Sequence, residues 1–529
     1  MRTRSPRINV TYTSVSGDRI ELISAEFGGD ILAVETTKTI DQPAGTFTIT
    51  LIGRKDFSYL FNIPKPDKTA YEIFRPAGLV DIYINNKEIM LGMVDDVRKK
   101  VSIGQDGKPA RNWVITGRDL GAILIDHKIW YDDNLNINRT YQNSILAGLS
   151  SFGTLMNLTT AQLMEKIINV WIIGVINQNS ASLNVKPFQF ADGSKIQDKF
   201  VALQDTNTSY TVILGEGTDQ LVPTGVSLVG KGAISHTCNN DNFLMQFSML
   251  STQCDLYNYL KHLLNAPFNE LFVDTGDTTH VLTSGSVAQL AQGKVYLVLR
   301  PTPFDDRNLD SNVIVPDAMK NNDNTSTTAT KVISDPYNIP SLVSMNDLID
   351  NPLTCHVITD DDWIEKDLGM GRNMKPSTYY AMPSGGVVTA LQGKAMIPPL
   401  YDDIALRKYG YNPMQFNLNA INFNVPQETD QAGMVQVCQA FQNKAYMWYR
   451  NLDRFLRGSI VLKGDETIRI GHVLKYERTD FGEIEETYHE GYYYIVGVTN
   501  RWIYGQNYTT LATVERGVSK KEFGVIESV

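Results

Sequence analysis

Strict alternation of polar and apolar residues marks the first part of the chain as β. In Thr46-Phe-Thr-Ile-Thr-Leu51 the period of two puts Phe47, Ile49 and Leu51 on one face. Val80 to Ile84 repeats the pattern. Asn85-Asn-Lys87 supplies a turn, and Ile89 to Val97 forms the return strand. Trp113 to Thr116 adds another strand, ended by Gly117. Strands so evenly spaced predict a small sandwich or barrel over 1–125.

The period then changes. Thr159-x-x-Gln162 has the form of a capping box, and it opens a helical run carrying Leu163, Ile167, Val170 and Ile173. Short strands such as Ser209 to Leu214 follow, then a second helix over Phe243 to Leu264, which makes 126–292 a mixed α/β middle domain. Gly293 to Arg300 returns to strand, and Asn321 to Thr328 is a polar loop. The clearest helix spans Glu428 to Arg457. Met434, Cys438, Phe441, Ala445, Trp448, Leu452 and Phe455 recur at spacings of four and three, acids stand at its start, arginines near its end, and Gly458 stops it. Such a seam packs on its own domain. Ser459–Leu462, Ile468–Val473, Tyr492–Val496 and Asn507–Val514 predict closing strands over 458–529. The fold class expected is α+β, β-rich and multidomain, with a β unit at each end of the chain.

Composition narrows the function classes. At 529 residues, 42% of them hydrophobic, the chain holds several cores. A net charge of -10 disfavours tight nucleic-acid binding. Cys238, Cys254, Cys355 and Cys438 lack Cys-x-x-Cys spacing. The most apolar candidate span, Leu163 to Ile176, is too short and too polar to cross a bilayer, so a soluble cytoplasmic product without a membrane partner is expected.

Candidate chemistry is thin. Gly225 to Gly232 misses a P-loop at its last position, where Gly232 replaces Ser or Thr. Asp360-Asp-Asp362 reads as a cap on a helical run opening at Trp363, and Asp305-Asp306 as a turn. His127, His236, His262, His280, His356, His472 and His489 show no ligand spacing. No catalytic residue, metal or cofactor is expected, and the chain reads as a non-enzyme. The cluster Tyr488, Tyr492, Tyr493, Tyr494, Trp502, Tyr504 and Tyr508 fits a sugar- or base-stacking platform and equally a half-buried sheet with a protein partner, in which Tyr492 and Tyr493 point to opposite faces.

Several strings carry a resemblance. Gly92-Met-Val-Asp95-Asp-Val97, followed by Gly117-Arg118-Asp119-Leu120, resembles the first domain of phage baseplate hub proteins of the late control protein D type. Pro267 to Asp274 resembles their middle domain. Leu297-Val-Leu-Arg300-Pro301-Thr-Pro303-Phe304 resembles the strand that opens the second barrel. Gly458 to Gly471, then Tyr493 to Val498, Trp502, Tyr508 to Leu511 and Arg516-Gly517, resemble its closing pattern.

The resemblance implies two tube-like antiparallel β-barrel domains with mixed α/β insertions. The first barrel would occupy 1–125, and the second 293–380 and 458–529, with a peripheral segment and the long helix over 381–457. It implies a homotrimer whose six barrels adapt a six-fold tail tube protein to a three-fold central spike protein. Other baseplate proteins would surround it, in a virion tail assembled in the host cytoplasm, with DNA only in transit through an acidic channel. Spike and wall-degrading enzyme would be separate chains. Two alternatives stand beside it: a β-rich carbohydrate-active enzyme using acids such as Asp361, and a peripheral receptor-binding tail protein using the tyrosines.

Overall fold

In the computed structural model the alternating segments pair into one sheet of thirteen strands. The structure describes residues 5–61, 68–103, 109–126, 128–130, 189–202, 253–263, 269–283, 286–303, 345–370, 375–383, 399–418, 445–446, 448–449, 452–453, 455–479 and 489–519. The helical run at 163–173, the strand at 209–214, the near P-loop at 225–232, the loop at 321–328, Tyr488, Phe304 and most of the helix expected over 428–457 lie outside these residues.

The first strands are β1 (Ile8–Thr13), β2 (Arg19–Ile23), β3 (Ile31–Thr39), β4 (Thr46–Ile52), β5 (Leu79–Ile84), β6 (Lys87–Ile103) and β7 (Pro109–Asp119). The middle carries β8 (Lys128–Trp130), β9 (Phe200–Ala202), β10 (Gln253–Asp255), β11 (Asn269–Thr275), β12 (Thr279–Thr283), β13 (Ser286–Gln289) and β14 (Val295–Pro301). Then come β15 (Cys355–Ile358) and β16 (Trp363–Gly369), and a small sheet of β17 (Thr378–Pro383), β18 (Leu400–Tyr401) and β19 (Pro413–Leu418). The chain closes with β20 (Leu456–Lys463), β21 (Val473–Tyr476), β22 (Gly491–Ile503) and β23 (Thr509–Ser519).

Local chemistry explains the first unit. On β4, Phe47, Ile49 and Leu51 are buried while the threonines between them are not. Asn85 and Asn86 both have positive φ, 51° and 66°, as the tight turn between β5 and β6 requires. The core runs from Ile8 and Val10 through Phe47, Ile82 and Ile115 to Trp502 and Tyr508 of the last hairpin, so the two ends of the chain share apolar burial.

The large sheet runs β16-β20-β23-β22-β3-β4-β7-β6-β5-β1-β2, with β21 on β22 and β15 on β21. Two parts of it repeat. In chain order β3, β4, β5, β6 and β7 correspond to β16, β20, β21, β22 and β23, and both sets have the same neighbours. Their registers coincide from Phe47–Ile52 to Gly458–Lys463 and across the shared bulge, while the second unit adds shifts between Leu456 and Gly458 and between Tyr492 and Tyr494. Thr48 stands between Glu35 and Thr116, as Ser459 stands between Asp367 and Thr513. A register shift lies between Ile31 and Ala33 in one unit and between Trp363 and Glu365 in the other. A second lies between Val94 and Asp96, and between Ile495 and Gly497.

Flanking hydrogen bonds repeat as well. Ile52 N–H donates to the Asp30 carbonyl at 2.9 Å, and Lys463 N–H to that of Asp362 at 2.9 Å. Val94 donates to Gly78 at 2.9 Å and accepts from Ala77 at 2.8 Å; Ile495 donates to His472 at 2.9 Å and accepts from Gly471 at 2.8 Å.

Several expectations change here. Two separate barrels were expected, but among the described residues the ladders form one continuous sheet. A single bridge, Ser24 to Ile31, touches β2's end to β3's start. The reason is that the outer edge of β3 is taken by β22. The run after Asp362 is strand β16, not helix, because it adds to the edge of β20. Phe243–Leu264 contains strand β10 before its helix, Leu256–Leu263. Gly458 does not stop a helix. It lies inside β20 at φ 150°, where a Cβ would stand 1.8 Å from the Asp367 carbonyl. Ile468 to His472 carry no strand, with a turn at Ile470–Gly471, and the strand starts at Val473. β14 pairs with β11 and β9 in a three-stranded sheet, so the boundary expected at 293 falls within that sheet.

Candidate functional site: the seam between the repeated units

The units meet where β22, past its bulge, pairs antiparallel with β3, from Gly497–Thr39 to Ile503–Ala33. On the outer face Thr37 and Thr499 share a hydroxyl hydrogen bond of 3.1 Å, and Arg501 pairs with Glu35 at 3.5 Å. On the inner face Val34, Thr36, Lys38, Val498, Asn500 and Trp502 are all buried.

A buried ionic layer lies behind this seam. Lys38 Nζ stands 3.4 Å from Asp119, 3.5 Å from Asp274 and 3.2 Å from the Thr275 hydroxyl. It thereby ties the first unit to β11 of the middle sheet. Burial pushes the Asp274 carboxyl up, but Lys38, the His280 hydrogen bond and Arg469 outweigh it and hold that carboxyl well below the usual carboxylate range. Asp119 goes the other way: burial raises it against the pull of Lys38. Nearby, Glu88 accepts from the Gly293 N–H at 2.6 Å, while Arg469 forks onto the carbonyls of Glu88 and Ile89. Burial, then the charge of Asp81, pushes the Glu88 carboxyl up to about 8.

A second buried cluster fastens the middle sheet to the second unit. Arg300 Nε donates to Glu270 at 2.6 Å, Nη1 to the Val281 carbonyl at 2.8 Å, and Nη2 to the Gly471 carbonyl at 2.8 Å and Tyr494 at 3.2 Å. The Tyr494 hydroxyl donates to Glu270 at 2.7 Å. Three histidines complete this layer. His280 Nε2 meets Asp274 at 2.9 Å, His472 Nε2 meets the Thr279 carbonyl at 2.7 Å, and His356 Nε2 meets His472 Nδ1 at 2.9 Å. Since a carbonyl only accepts, His472 carries its proton on Nε2 and accepts from His356. Burial lowers all three rings, His356 to about 4.

The residues singled out by resemblance fall into distinct places. Asp119, Arg300 and Gly471 join the buried layer, and Arg300 and Gly471 bond each other directly. Gly92 and Gly117 lie under the Phe47 ring, where a Cβ would come within 2.8 and 2.5 Å of its carbons. Asp95 and Arg118 form a two-pronged exposed pair at 2.8 and 3.2 Å. Gly517 does for Tyr493 what Gly117 does for Phe47, with a Cβ position 2.3 Å from the ring. Arg516 lies over Trp448 at 3.8 Å and Phe455 at 5.0 Å. Trp502 is buried at the seam opposite Val34. Pro301 ends β14 opposite Asn269, and Pro303 is buried beyond it.

Sequence reasoning missed Lys38, Glu88, Asp274 and the histidine group. His280, His356 and His472 are far apart in the chain, and no spacing signals their meeting. Tyr493 and Tyr494, on opposite faces of β22, are both buried, because the middle sheet covers the face that alternation leaves open. Asp362 accepts from the Thr359 N–H and hydroxyl at 2.8 Å, and Asp360 from Tyr476, so two acids of that trio serve turn and strand contacts. Among the described residues no group of three or more His, Cys, Asp or Glu side chains is placed to hold a metal ion.

No protein-family model matches the chain, and no curated protein does. Similar solved structures include the 43 kDa tail protein of prophage MuSo2 from Shewanella oneidensis, 9% identical, covering 96% of this chain and 98% of that one at a TM-score of 0.41. The tail protein from Neisseria meningitidis MC58 is 10% identical, covering 97% and 98% at 0.42. The E. coli c3393 protein, described as a type VI secretion component with structural similarity to the T4 bacteriophage tail proteins gp27 and gp5, is 9% identical, covering 93% and 74% at 0.35.

Proposed function

We propose that the chain is a structural baseplate hub of a phage-type tail, a trimeric ring that joins a six-fold tube to a three-fold spike. The observation that carries this is the repeat of five strands in order and register, with the two copies set head to tail in one sheet. A head-to-tail contact is heterologous, and it generates a ring when the rotation closes. Two equivalent units per chain let three chains present six. In this reading each unit, with its flanking strands, takes the place of one tube-like barrel of the resemblance, within a continuous sheet.

The outer face of the tandem sheet fits a channel. It carries Thr37, Thr48, Thr50, Thr116, Thr499 and Thr513, with the Glu35–Arg501 pair. Hydroxyls are prominent on it, and charges of both signs stand beside them. Several of the cations on this face stand beside acids, Arg98 with Asp96, Arg118 with Asp95 and Arg501 with Glu35, which weakens their hold on the phosphates of a passing duplex. The buried ionic layer keeps the two units of one chain at a fixed angle, as a closed ring requires. Mass photometry of the purified chain tests the reading. The expected result is one species of three chains; a monomer at every concentration, with or without the tube, overturns it.

A further inference from the structure

The repeat leaves two strand edges without a partner among the described residues. In the second unit, β22 uses its first residues to pair with β21 and its residues past the bulge to pair with β3. In the first unit, β6 likewise uses Lys87–Met93 to pair with β5. Past its bulge, however, β6 is hydrogen-bonded on one side only, by β7. At the other end of the sheet β16, the counterpart of β3, pairs on one side only, with β20. One edge is thus the image of β22 and the other the image of β3.

We propose that Glu365–Gly369 of β16 in one chain pairs antiparallel with the Arg98–Ser102 segment of β6 in a second copy, in the register that β22 and β3 set within each chain. This deepens the ring reading above and rests on it. The register follows from the matched bulges. Asp96 takes the place of Gly497, so Lys100 takes that of Arg501; Glu365 takes the place of Ala33, so Asp367 takes that of Glu35. The ion pair Arg501–Glu35, 3.5 Å apart inside the chain, thereby has a counterpart of the same sign pattern between chains: Lys100 facing Asp367.

Charge and exposure agree with this occupant. The β6 segment reads Arg98-Lys99-Lys100, and β16 carries Glu365 and Asp367. Both edges also expose apolar side chains: Val101 is 59% exposed, Ile103 80% and Ile364 48%. A long edge with exposed β-branched residues invites a strand, and opposite charges select which one. Each chain offers one donor edge and one acceptor edge, so the contact propagates around a ring and ends when it closes.

Cysteine cross-linking tests the register. Full-length protein carrying both Lys100→Cys and Asp367→Cys, oxidised and run without reductant, is expected to give covalent dimer and trimer, and each single variant neither. In parallel, Lys100→Glu and Asp367→Lys are each expected to weaken trimer association about tenfold or more at low salt. The double variant Lys100→Glu with Asp367→Lys is expected to restore it. Both side chains are exposed, so circular dichroism should be unchanged. A wild-type trimer with no cross-link and no response to charge reversal overturns the strand pairing while leaving the ring. A wild-type protein that stays monomeric overturns both.

Discussion

At the residue scale, the repeated unit solves one packing problem twice with different side chains. Beside the bulge of β6, the Phe47 ring from β4 occupies space left by Gly92 and Gly117. In the second unit Phe47 is replaced by Gly458 and Gly92 by Tyr493, whose own ring fills the space left by Gly517. The aromatic has moved to another strand, so the two sequences do not align although their registers do. The resemblance made these glycines legible, but not what they accommodate. A Cβ at Gly117 would lie 2.1 Å from the Met93 carbonyl oxygen and 2.5 Å from Phe47. Gly117→Ala is therefore expected to cost on the order of 1–3 kcal/mol, as overpacking does. Phe47→Leu in that background should recover part of the loss, since contacting residues couple. Urea unfolding of the four proteins in this cycle measures both; additive effects would show that the ring and the glycine do not share this space.

At the scale of elements, the strands were legible wherever one face is buried and the other wet, as in β4 and β5. Legibility failed where packing overrides the local pattern. β16 has no clean alternation, with a burial pattern mostly exposed or intermediate, and it is a strand because β20 offers it an edge. The middle sheet is held to the second unit by a side-chain cluster rather than by shared strands, and sequence could mark Arg300 and Gly471 without linking them. Arg300 is the centre of that cluster. Removing it strands Glu270 as a buried carboxylate, and losing one partner of such a pair costs about 3–5 kcal/mol. Arg300→Met is expected to lower stability by that order, and Arg300→Lys to rescue little, since one ammonium cannot reach Glu270, Val281, Gly471 and Tyr494 in the same fork. Hydrogen exchange should speed up in β11 and β14 and remain slow in β4 and β7. Equal acceleration across the sheet would mean that the cluster stabilises the whole molecule rather than this contact.

At the scale of the whole molecule, the three parts of the chain converge on a layer of buried titratable groups, and their shifts set opposite pH limits. The histidines are neutral in the fold. Burial holds His356 at about 4 and lowers His280 and His472, while in the unfolded chain each binds a proton near 6.5. The unfolded state therefore binds more protons below that pH, and stability is lost as pH falls from about 6.5 towards 4. Protonating His472 would also turn its Nδ1 from acceptor to donor, facing the His356 N–H. Asp274, held low, adds to the acid loss only further down. Glu88 has the reverse sign. Its carboxyl is raised from 4.5 to about 8 by burial and by Asp81, against the pull of Arg469 and Lys38, so folding takes up a proton. That stability is complete below about 4.5 and is lost as pH rises through 8. Below 6.5 the three rings lose stability as pH falls while the raised carboxyls of Glu88, Asp81 and Asp119 gain it; above 6.5 Glu88, raised highest, carries the decline. Stability is therefore expected to fall between pH 6.5 and 8. Glu88→Gln, which keeps an acceptor for the Gly293 N–H and cannot ionise, should abolish the decline between 6.5 and 8 and leave the acid side in place. Urea midpoints at pH 5, 6.5 and 8 for the two proteins decide it: an alkaline decline that survives in Glu88→Gln assigns that loss to another group.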